Sequence, residues 1–468
     1  MKLSKPIKIG RILLCLVFLS ISVAAQTPAK APEGKAPIII IPGVAGSELV
    51  NGKNQELVWF RPQRAKDDDL RLPISPNLLR NQDSLRPRDI VRGVQFLKFL
   101  PHIEIYEKLI DSLEKRGGYR EAKWDTATKA DFQDTFYVFP YDWRRDNVEN
   151  ARLLVRQVDT LKRRLGKPNL KFNVIGHSMG GLIARYAAMY GNRDIPRGKP
   201  SPTWAGARNF DKIFLLGTPN EGSIEALDSL LNGFSIIGGG LNLPFLQNLS
   251  EFEVFTLPAM YQLLPHQDSF VAYDENLKRV NIDIYDPLTW EKYNWVTWDD
   301  EGFDKSFTPL EKSQAKAYFR VVLARAKKFQ EALDANTSAV IPVSFYLMGA
   351  DCKETQNAVL LLRDEKKNQW KTHFKASSFE NSSGKKVSSD ELKKLLRLQG
   401  DGVVTKRSLG AETAIENGRK NILPITAELY QCEEHNKLVT NPEIQDKLFA
   451  FLNTAPAGKS RIAEKRSP

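Results

Sequence analysis

Cysteine is scarce in this sequence, and so are long apolar runs. Only three cysteines occur in 468 residues, and Cys15 lies in the N-terminal stretch. The remaining pair, Cys352 and Cys432, leaves two alternatives open, one disulfide or two unpaired buried thiols. After residue 25 no apolar run approaches the about 20 residues of a membrane-spanning helix. The sequence therefore predicts no later membrane span and does not favour a cysteine nucleophile.

Signatures of nucleic-acid, metal and nucleotide binding are also missing. The chain has no zinc-ligand spacing, no basic helix with interleaved aromatic residues and no glycine-rich phosphate loop. Its net charge of +12 is spread along the sequence, which is typical of a solvated basic surface, with attraction to anionic membranes as the alternative. We predict no nucleic-acid partner, no metal and no cofactor. An apolar content of 42% is enough for a real core.

The N-terminus has the pattern of a secretory signal. Four basic residues precede an apolar stretch, Ile12 to Val23, and Val23-Ala24-Ala25 forms a small-residue cleavage site. A signal peptide over 1–25, cleaved after Ala25, predicts a periplasmic or secreted protein, with a retained anchor as the alternative. Residues 26–36 and the basic tail 454–468 are predicted to be disordered.

Apolar strands alternate with amphipathic helices over much of the chain. Ile38–Ile41 is the first of these strands, and a last helix is predicted from Pro442 to Leu452. This alternation predicts an α/β fold with a mostly parallel central sheet flanked by helices. The alternation fails over 220–339, which we interpret as an inserted cap subdomain in a core formed by 37–219 and 340–453.

A candidate nucleophile lies in Gly176-His177-Ser178-Met179-Gly180, which matches G-x-S-x-G. An apolar strand runs directly into the motif and a helical pattern runs out of it, as the nucleophile elbow of an α/β-hydrolase requires. The turn would hold the Ser178 hydroxyl at a helix N-terminus, where backbone N–H groups favour negative charge. Its alternative is a glycine-rich turn without chemistry.

A serine hydroxyl needs a base, and the base needs an acid to orient it. In this fold both follow the serine in the sequence, the acid first. Of the later histidines, His266 lies in the cap block and His373 in a Lys-rich stretch, so His435 is the predicted base. Asp401, in a Gly-Asp-Gly turn, is the favoured acid, and Asp351 at the end of an earlier strand is its rival.

An oxyanion formed at the serine would need two backbone donors. The residue after the serine, Met179, supplies one in this fold, and a loop after an early strand supplies the other. Gly43-Val44-Ala45-Gly46 follows the first strand, and Val44 is the predicted second donor. A simple strand-end turn is the alternative.

Together these segments resemble the lecithin:cholesterol acyltransferase family, which includes lysosomal phospholipase A. The matching stretches occur in the family's order from about residue 37 to 440: Ile40 to Ser47, Pro140-Tyr141-Asp142-Trp143-Arg144, Gly176 to Gly181, Leu216 to Pro219, Tyr261 to Pro265 and Gly400 to Val404. The resemblance implies an α/β-hydrolase fold, a Ser178–Asp401–His435 triad and Val44 and Met179 as oxyanion donors. It also implies a lipid ester as the acyl donor.

One departure concerns the lid. Some relatives close a lid with a disulfide soon after the first strand, but this chain has no cysteine between residues 26 and 351. Trp59 and Phe60 lie in the corresponding region, as lid or membrane-touching residues or as ordinary packing. Asp142 and Arg144 are predicted to form a structural ion pair without a catalytic role.

These observations predict an exported serine-dependent lipid acyl hydrolase or acyltransferase that works through an acyl-serine. Its predicted partners are a lipid ester, such as a phospholipid, and transiently a membrane surface. Two alternatives remain. One is a lipid-binding or envelope-interaction protein that keeps the fold without the chemistry. The other is a hydrolase for a non-lipid ester or amide.

Overall fold

The computed structural model describes residues 34–61, 68–94, 103–235, 248–335, 340–364, 366–411 and 423–454. The signal peptide predicted over 1–25 lies outside these residues, as do nearly all of the lead-in and tail predicted to be disordered. The strands are β1 Ile38–Ile41, β2 Ser47–Asn51, β3 Leu57–Trp59, β4 Leu85–Ile90, β5 Gly93–Val94, β6 Ile103–Glu104, β7 Arg120–Glu121, β8 Thr135–Val138, β9 Phe172–His177, β10 Phe210–Leu216, β11 Val271–Tyr273, β12 Arg279–Val280, β13 Ser344–Gly349, β14 Lys353–Gln356, β15 Ala358–Asp364, β16 Gln369–His373, β17 Phe379–Glu380, β18 Lys386–Val387, β19 Arg397–Gly400 and β20 Ile425–Tyr430. The helices are α1 Glu107–Lys115, α2 Asn147–Leu165, α3 Met179–Tyr190, α4 Ile224–Asn232, α5 Glu251–Phe255, α6 Pro258–Tyr261, α7 Pro287–Lys292, α8 Glu301–Ser306, α9 Pro309–Leu333, α10 Ser389–Leu396, α11 Lys406–Gly410 and α12 Pro442–Leu452.

A seven-stranded sheet forms the centre of the molecule, in the order β20-β13-β10-β9-β1-β8-β7. Every neighbouring pair in it is parallel. Parallel strands need covering on both faces, which explains their continuous apolar sequences. The sheet and its flanking helices confirm the predicted α/β-hydrolase fold class.

The first strand shows how both faces are covered. Ile39 and Ile41 of β1 pack in the core cluster that also holds residues of α2, α3 and α9. Ile38 and Ile40 point to the other face and join residues of α1 and α12. Because side chains alternate along a strand, four consecutive isoleucines supply both cores at once.

The helix beside β8 begins and ends as its sequence predicts. The Asp146 side chain accepts hydrogen bonds from the N–H groups of Val148 and Glu149 and so caps α2. Gly166 follows the last residue of α2 with a φ of 67°, a conformation that glycine adopts without strain. The predicted limits of α12, Pro442 and Leu452, are also those observed.

The block predicted as a cap holds α4 to α9 and the short strands β11 and β12. β11 pairs in parallel with β15, a strand from the later part of the chain, in a four-stranded sheet ordered β12-β11-β15-β16. Segments on both sides of residue 340 therefore share one sheet. Over the described residues, no helix combines the length and apolarity that crossing a membrane requires.

Arg144 carries a buried charge beneath this block. Its guanidinium donates to both carboxylate oxygens of Asp142, at 2.9 and 2.8 Å, as predicted. It also donates to both oxygens of Asp83, at 2.7 and 2.9 Å, a partner that the sequence did not indicate. Burial opposes the charge of Arg144, but the two carboxylates outweigh burial and raise its pKa. We assign this cluster a structural role, because the two carboxylates neutralise a buried charge that would be costly if it were unpaired.

Candidate active site

Ser178 lies at the sharp turn between β9 and α3. Its backbone has a φ of 51° and a ψ of −124°, a strained combination for a residue with a side chain. The flanking glycines are required by close contacts. A Cβ on Gly180 would lie 2.4 Å from the Ile41 carbonyl oxygen, and one on Gly176 would lie 2.8 Å from the Gly181 Cα. The turn therefore has the nucleophile-elbow geometry predicted for G-x-S-x-G.

Three side chains that are distant in the sequence form one hydrogen-bonded chain at this turn. The Ser178 Oγ lies 3.0 Å from the His435 Nε2. The His435 Nδ1 lies 2.7 Å from the Asp401 Oδ2. All three are buried, with 8%, 6% and 1% of Ser178, His435 and Asp401 exposed. A hydroxyl, an imidazole and a carboxylate in this order can transfer a proton from oxygen to nitrogen.

The Asp401 carboxylate is held by its own turn. Its Oδ1 accepts the N–H groups of Val403 and Val404 at 2.9 and 2.7 Å, and its carbonyl accepts the His435 N–H at 2.9 Å. Oδ2 thereby faces the His435 ring. The rival acid, Asp351, instead accepts a hydrogen bond from Lys406 Nζ at 2.8 Å. Of the two candidates, Asp401 is the one that contacts His435.

The predicted donor loop crosses directly over the serine. A Cβ on Gly43 would lie 3.0 Å from the Ser178 Cβ. The Gly43 N–H donates to the Tyr106 Oη at 2.8 Å, and the Gly46 N–H donates to the Gly43 carbonyl at 3.1 Å. Neither Val44 nor Met179 has an acceptor for its N–H among the residues that the structure describes. Their role as oxyanion donors remains a prediction, with which these unbonded N–H groups are compatible.

The same loop explains where the predicted lid residues lie. Trp59 is fully buried, and its Nε1 donates to the Ala45 carbonyl at 2.8 Å. Phe60 is 4% exposed and packs against Trp59. Both side chains are buried, as in the packing alternative that the sequence left open, so neither lies at the surface as a membrane-touching residue would. Trp59 contacts the loop directly, and Phe60 contacts Trp59.

The sequence analysis missed two residues of the site, Tyr106 and His177. The Tyr106 Oη lies 2.8 Å from the His177 Nδ1, and the His177 Nε2 lies 3.3 Å from the His435 carbonyl oxygen. Burial lowers the pKa of His177 to about 3. His177 could have been suspected from its place in the motif, whereas no sequence signal links Tyr106 to it.

The other two histidines that follow Ser178 in the sequence do not belong to the hydrogen-bonded chain of Ser178, His435 and Asp401. His373 ends β16. His266 is buried between two acceptors: its Nδ1 lies 2.7 Å from the Asp334 Oδ2 and its Nε2 lies 2.6 Å from the Gln330 Oε1. The Gln330 amide nitrogen donates to the Gln262 carbonyl at 2.6 Å, which orients its oxygen towards His266. Both ring nitrogens therefore face acceptors, as an imidazolium requires.

This contact predicts a pH-dependent stability. Burial lowers the pKa of His266, but its attraction to Asp334 and its hydrogen bonds outweigh burial and raise it. A raised folded-state pKa stabilises fully below the unfolded value of about 6.5 and loses its effect as pH rises through the folded value. Replacing His266 with Gln should lower the free energy of unfolding by about 2 kcal/mol at pH 6 and by less at pH 9. Urea unfolding at both pH values measures this, and an equal loss at both would contradict it.

Cys352 and Cys432 form a disulfide, which decides between the two alternatives left by the sequence. Cys352 follows β13 and precedes β14, which pairs with β19 just before Asp401. Cys432 lies three residues before His435. The disulfide thus joins the loop that carries His435 to the start of β14, the strand that pairs with β19 just before Asp401.

We expect loss of this disulfide to reduce both stability and rate. The Cys352→Ser, Cys432→Ser double variant should unfold with about 2–4 kcal/mol less free energy. Its kcat for a soluble ester should fall by up to about a hundredfold, because small displacements of His435 are costly. Denaturation and kinetics measure the two effects. Dithiothreitol should reproduce them in the wild type and leave the double variant unchanged. A double variant with wild-type kcat would show that the disulfide does not help to position His435.

One solved structure supports this fold, and two others are similar to this chain over most of their lengths. A chain of the Tle4–Tli4 complex is 14% identical with a TM-score of 0.52, covering 89% of this chain and 98% of that one. Mature lipase BlEst2 of Bacillus licheniformis is 13% identical with a TM-score of 0.35, covering 92% and 96%. The lin2722 product of Listeria innocua is 13% identical with a TM-score of 0.33, covering 91% and 96%. At 14% identity, the similarity to the Tle4–Tli4 chain concerns the fold alone. No curated protein is significantly similar in sequence.

The family comparison covers most of the chain. The family model of lecithin:cholesterol acyltransferase matches residues 84–441. This range includes Ser178, Asp401 and His435, while the loop that crosses Ser178 lies before it. The chain therefore belongs to the lecithin:cholesterol acyltransferase family.

Proposed function

We propose that this protein is an exported, serine-dependent lipid acyl hydrolase or acyltransferase. The observation that carries the proposal is the buried chain of hydrogen bonds from Ser178 through His435 to Asp401, with 3.0 and 2.7 Å between the bonded atoms. Membership of the lecithin:cholesterol acyltransferase family supports a lipid ester as the acyl donor. The disulfide supports export, because such bonds persist in oxidising compartments.

In the first half-reaction the Ser178 Oγ attacks the ester carbonyl carbon while its proton passes to the His435 Nε2. The Asp401 carboxylate holds the Nδ1–H and stabilises the imidazolium that results. The Val44 and Met179 N–H groups bind the oxyanion. When the C–O bond to the leaving alcohol breaks, the His435 proton moves to that alcohol, which leaves an acyl-serine.

In the second half-reaction an acceptor hydroxyl gives its proton to His435 and attacks the acyl-serine. The tetrahedral intermediate collapses, Ser178 regains its proton, and an acid or a new ester is released. Water yields a fatty acid, and an alcohol yields an acyl-transfer product. We take hydrolysis as the default, because water is always present.

A cavity of about 290 Å³ with a mixed apolar and polar lining lies beside α4, and its apolar part suits an acyl chain. Leu230, Phe252, Phe255 and Trp295 are among its apolar lining residues, and Glu251 and Asp300 are among its polar ones. α4 connects this cavity to the site, since Ser223, the residue that caps it, donates a hydrogen bond to the Val403 carbonyl at 2.6 Å.

Labelling with a fluorophosphonate probe and analysis of lipid products test this function. The purified wild type should be labelled and should release fatty acid from phospholipid vesicles, whereas Ser178→Ala should do neither. The control variant Ser223→Ala makes the same substitution near the site but outside the Ser178–His435–Asp401 chain, and it should still be labelled. Equal labelling of wild type and Ser178→Ala would refute the serine mechanism. Labelling without turnover of any lipid would refute the substrate class.

A further inference from the structure

Two buried side chains connect the donor loop to the backbone of His435. The Tyr106 Oη accepts the Gly43 N–H at 2.8 Å and lies 2.8 Å from the His177 Nδ1. The His177 Nε2 lies 3.3 Å from the His435 carbonyl oxygen. Tyr106 is 2% and His177 is 6% exposed. The Tyr106–His177 bridge therefore links the loop that contacts Ser178 to the backbone of the proposed base.

The contacts assign every proton in the bridge. Because the Tyr106 Oη accepts the Gly43 N–H, its own O–H is available to donate to the His177 Nδ1. The Nε2 then carries the ring proton and donates it to the His435 carbonyl. This arrangement requires a neutral imidazole, in agreement with the burial that lowers the pKa of His177. A protonated His177 would carry an N–H on both ring nitrogens, so its Nδ1 could not accept the Tyr106 O–H.

The bridge joins elements that must keep a fixed distance during the reaction. Gly43 precedes Val44, whose N–H is a proposed oxyanion donor. His177 ends β9, the strand that carries Ser178, and its ring centroid lies 5.2 Å from that of His435. Since Tyr106 precedes α1, the bridge brings a helix outside the proposed triad into contact with both the donor loop and β9.

We propose that Tyr106 and His177 are positioning residues, which hold the Val44 donor and His435 in register with Ser178. The inference rests on the proposed function. Loss of the bridge lets the donor loop and the base shift relative to the serine. Such shifts reduce the stability of the transition state more than that of the bound substrate, so kcat falls while KM changes little.

The Tyr106→Phe variant tests the first half of the bridge. It removes one oxygen atom and leaves the Gly43 N–H and the His177 Nδ1 without their partner. We expect kcat for a soluble p-nitrophenyl ester and the rate of labelling by a fluorophosphonate to fall by about ten- to a hundredfold. Tyr190→Phe is the matched control, because the Tyr190 hydroxyl is equally buried and donates to the Ala332 carbonyl at 2.8 Å. It should lose stability and keep its kcat.

Two substitutions of His177 test the second half. His177→Gln keeps a side-chain N–H for the His435 carbonyl and an acceptor for Tyr106, whereas His177→Leu keeps neither. We expect the Gln variant to recover most of the rate that the Leu variant loses. The Tyr106→Phe, His177→Leu double variant should be little slower than the slower single variant, since both break one bridge.

The outcomes separate this inference from the function on which it rests. If the wild type is labelled and Tyr106→Phe is labelled and turns over ester as fast, the bridge does not position the site. Equal rates for folded His177→Gln and His177→Leu would also overturn it. If the wild type itself is not labelled, the proposed function fails, and the inference fails with it.

Discussion

Replacement of His435 with alanine should lower kcat for ester turnover by about six orders of magnitude. The Ser178 Oγ has its proton acceptor at 3.0 Å in the His435 Nε2, and alanine leaves none there. The same change removes the acid that protonates the leaving alcohol, so both half-reactions suffer. Kinetics with a p-nitrophenyl ester measure the loss, and the residual rate should come from binding and the oxyanion donors.

His373→Ala is the control for this variant. It removes the other histidine of the C-terminal part of the chain, on β16 and outside the hydrogen-bonded chain. It should therefore keep the wild-type kcat. A folded His435→Ala variant that loses less than about a hundredfold would show that another group acts as the base, because general-base catalysis contributes at least that much.

Asp401→Asn should lower kcat by about four orders of magnitude, the effect of replacing this acid in the serine triad. The amide can still accept the Val403 and Val404 N–H groups through its oxygen, so the turn should persist. Its NH₂ group then faces the His435 Nδ1, which favours the tautomer that places the ring proton on Nε2. That tautomer cannot accept the Ser178 proton. Steady-state kinetics measure the fall, and circular dichroism should show an unchanged fold.

Asp351→Asn is the matched control. The Asp351 carboxylate bonds to Lys406, so its loss should change stability slightly and leave kcat as it is. An equal fall in the two variants would mean that the rate depends on the general charge of this region. A fall in Asp351→Asn alone would reassign the acid to the rival that the sequence analysis left open.

Local sequence patterns were sufficient to predict much of the structure of this protein. The run Ile38–Ile41 could be recognised as a buried parallel strand because only a strand covered on both faces places four consecutive isoleucines in two cores. The limits of α12 could be predicted from a proline at its start and the periodic residues that follow. G-x-S-x-G identified Ser178 because the steric demands of the turn are local and select glycine.

The choice of Asp401 over Asp351 shows where local pattern stops being sufficient. Both aspartates lie just after strands, and the sequence does not give the spatial distance from either to His435. The decision comes from the β14–β19 pairing, which places Asp401 beside the His435 turn, whereas Asp351 faces Lys406. Strand pairing between distant segments is a property of the whole sheet.

The Tyr106–His177 bridge, the disulfide and the location of Trp59 could be determined only from the tertiary structure. Tyr106 and His177 are 71 residues apart, and the two cysteines are 80 apart, so neither pairing has a local signal. The apolar side chain of Trp59 would suit a lid as well as a core, and only the structure shows that it packs against Phe60 and Trp143 with its indole N–H on the Ala45 carbonyl. The sequence by itself determined the elements and the types of group at the site, because those depend on neighbouring residues. Which groups meet depends on the packing of the whole chain.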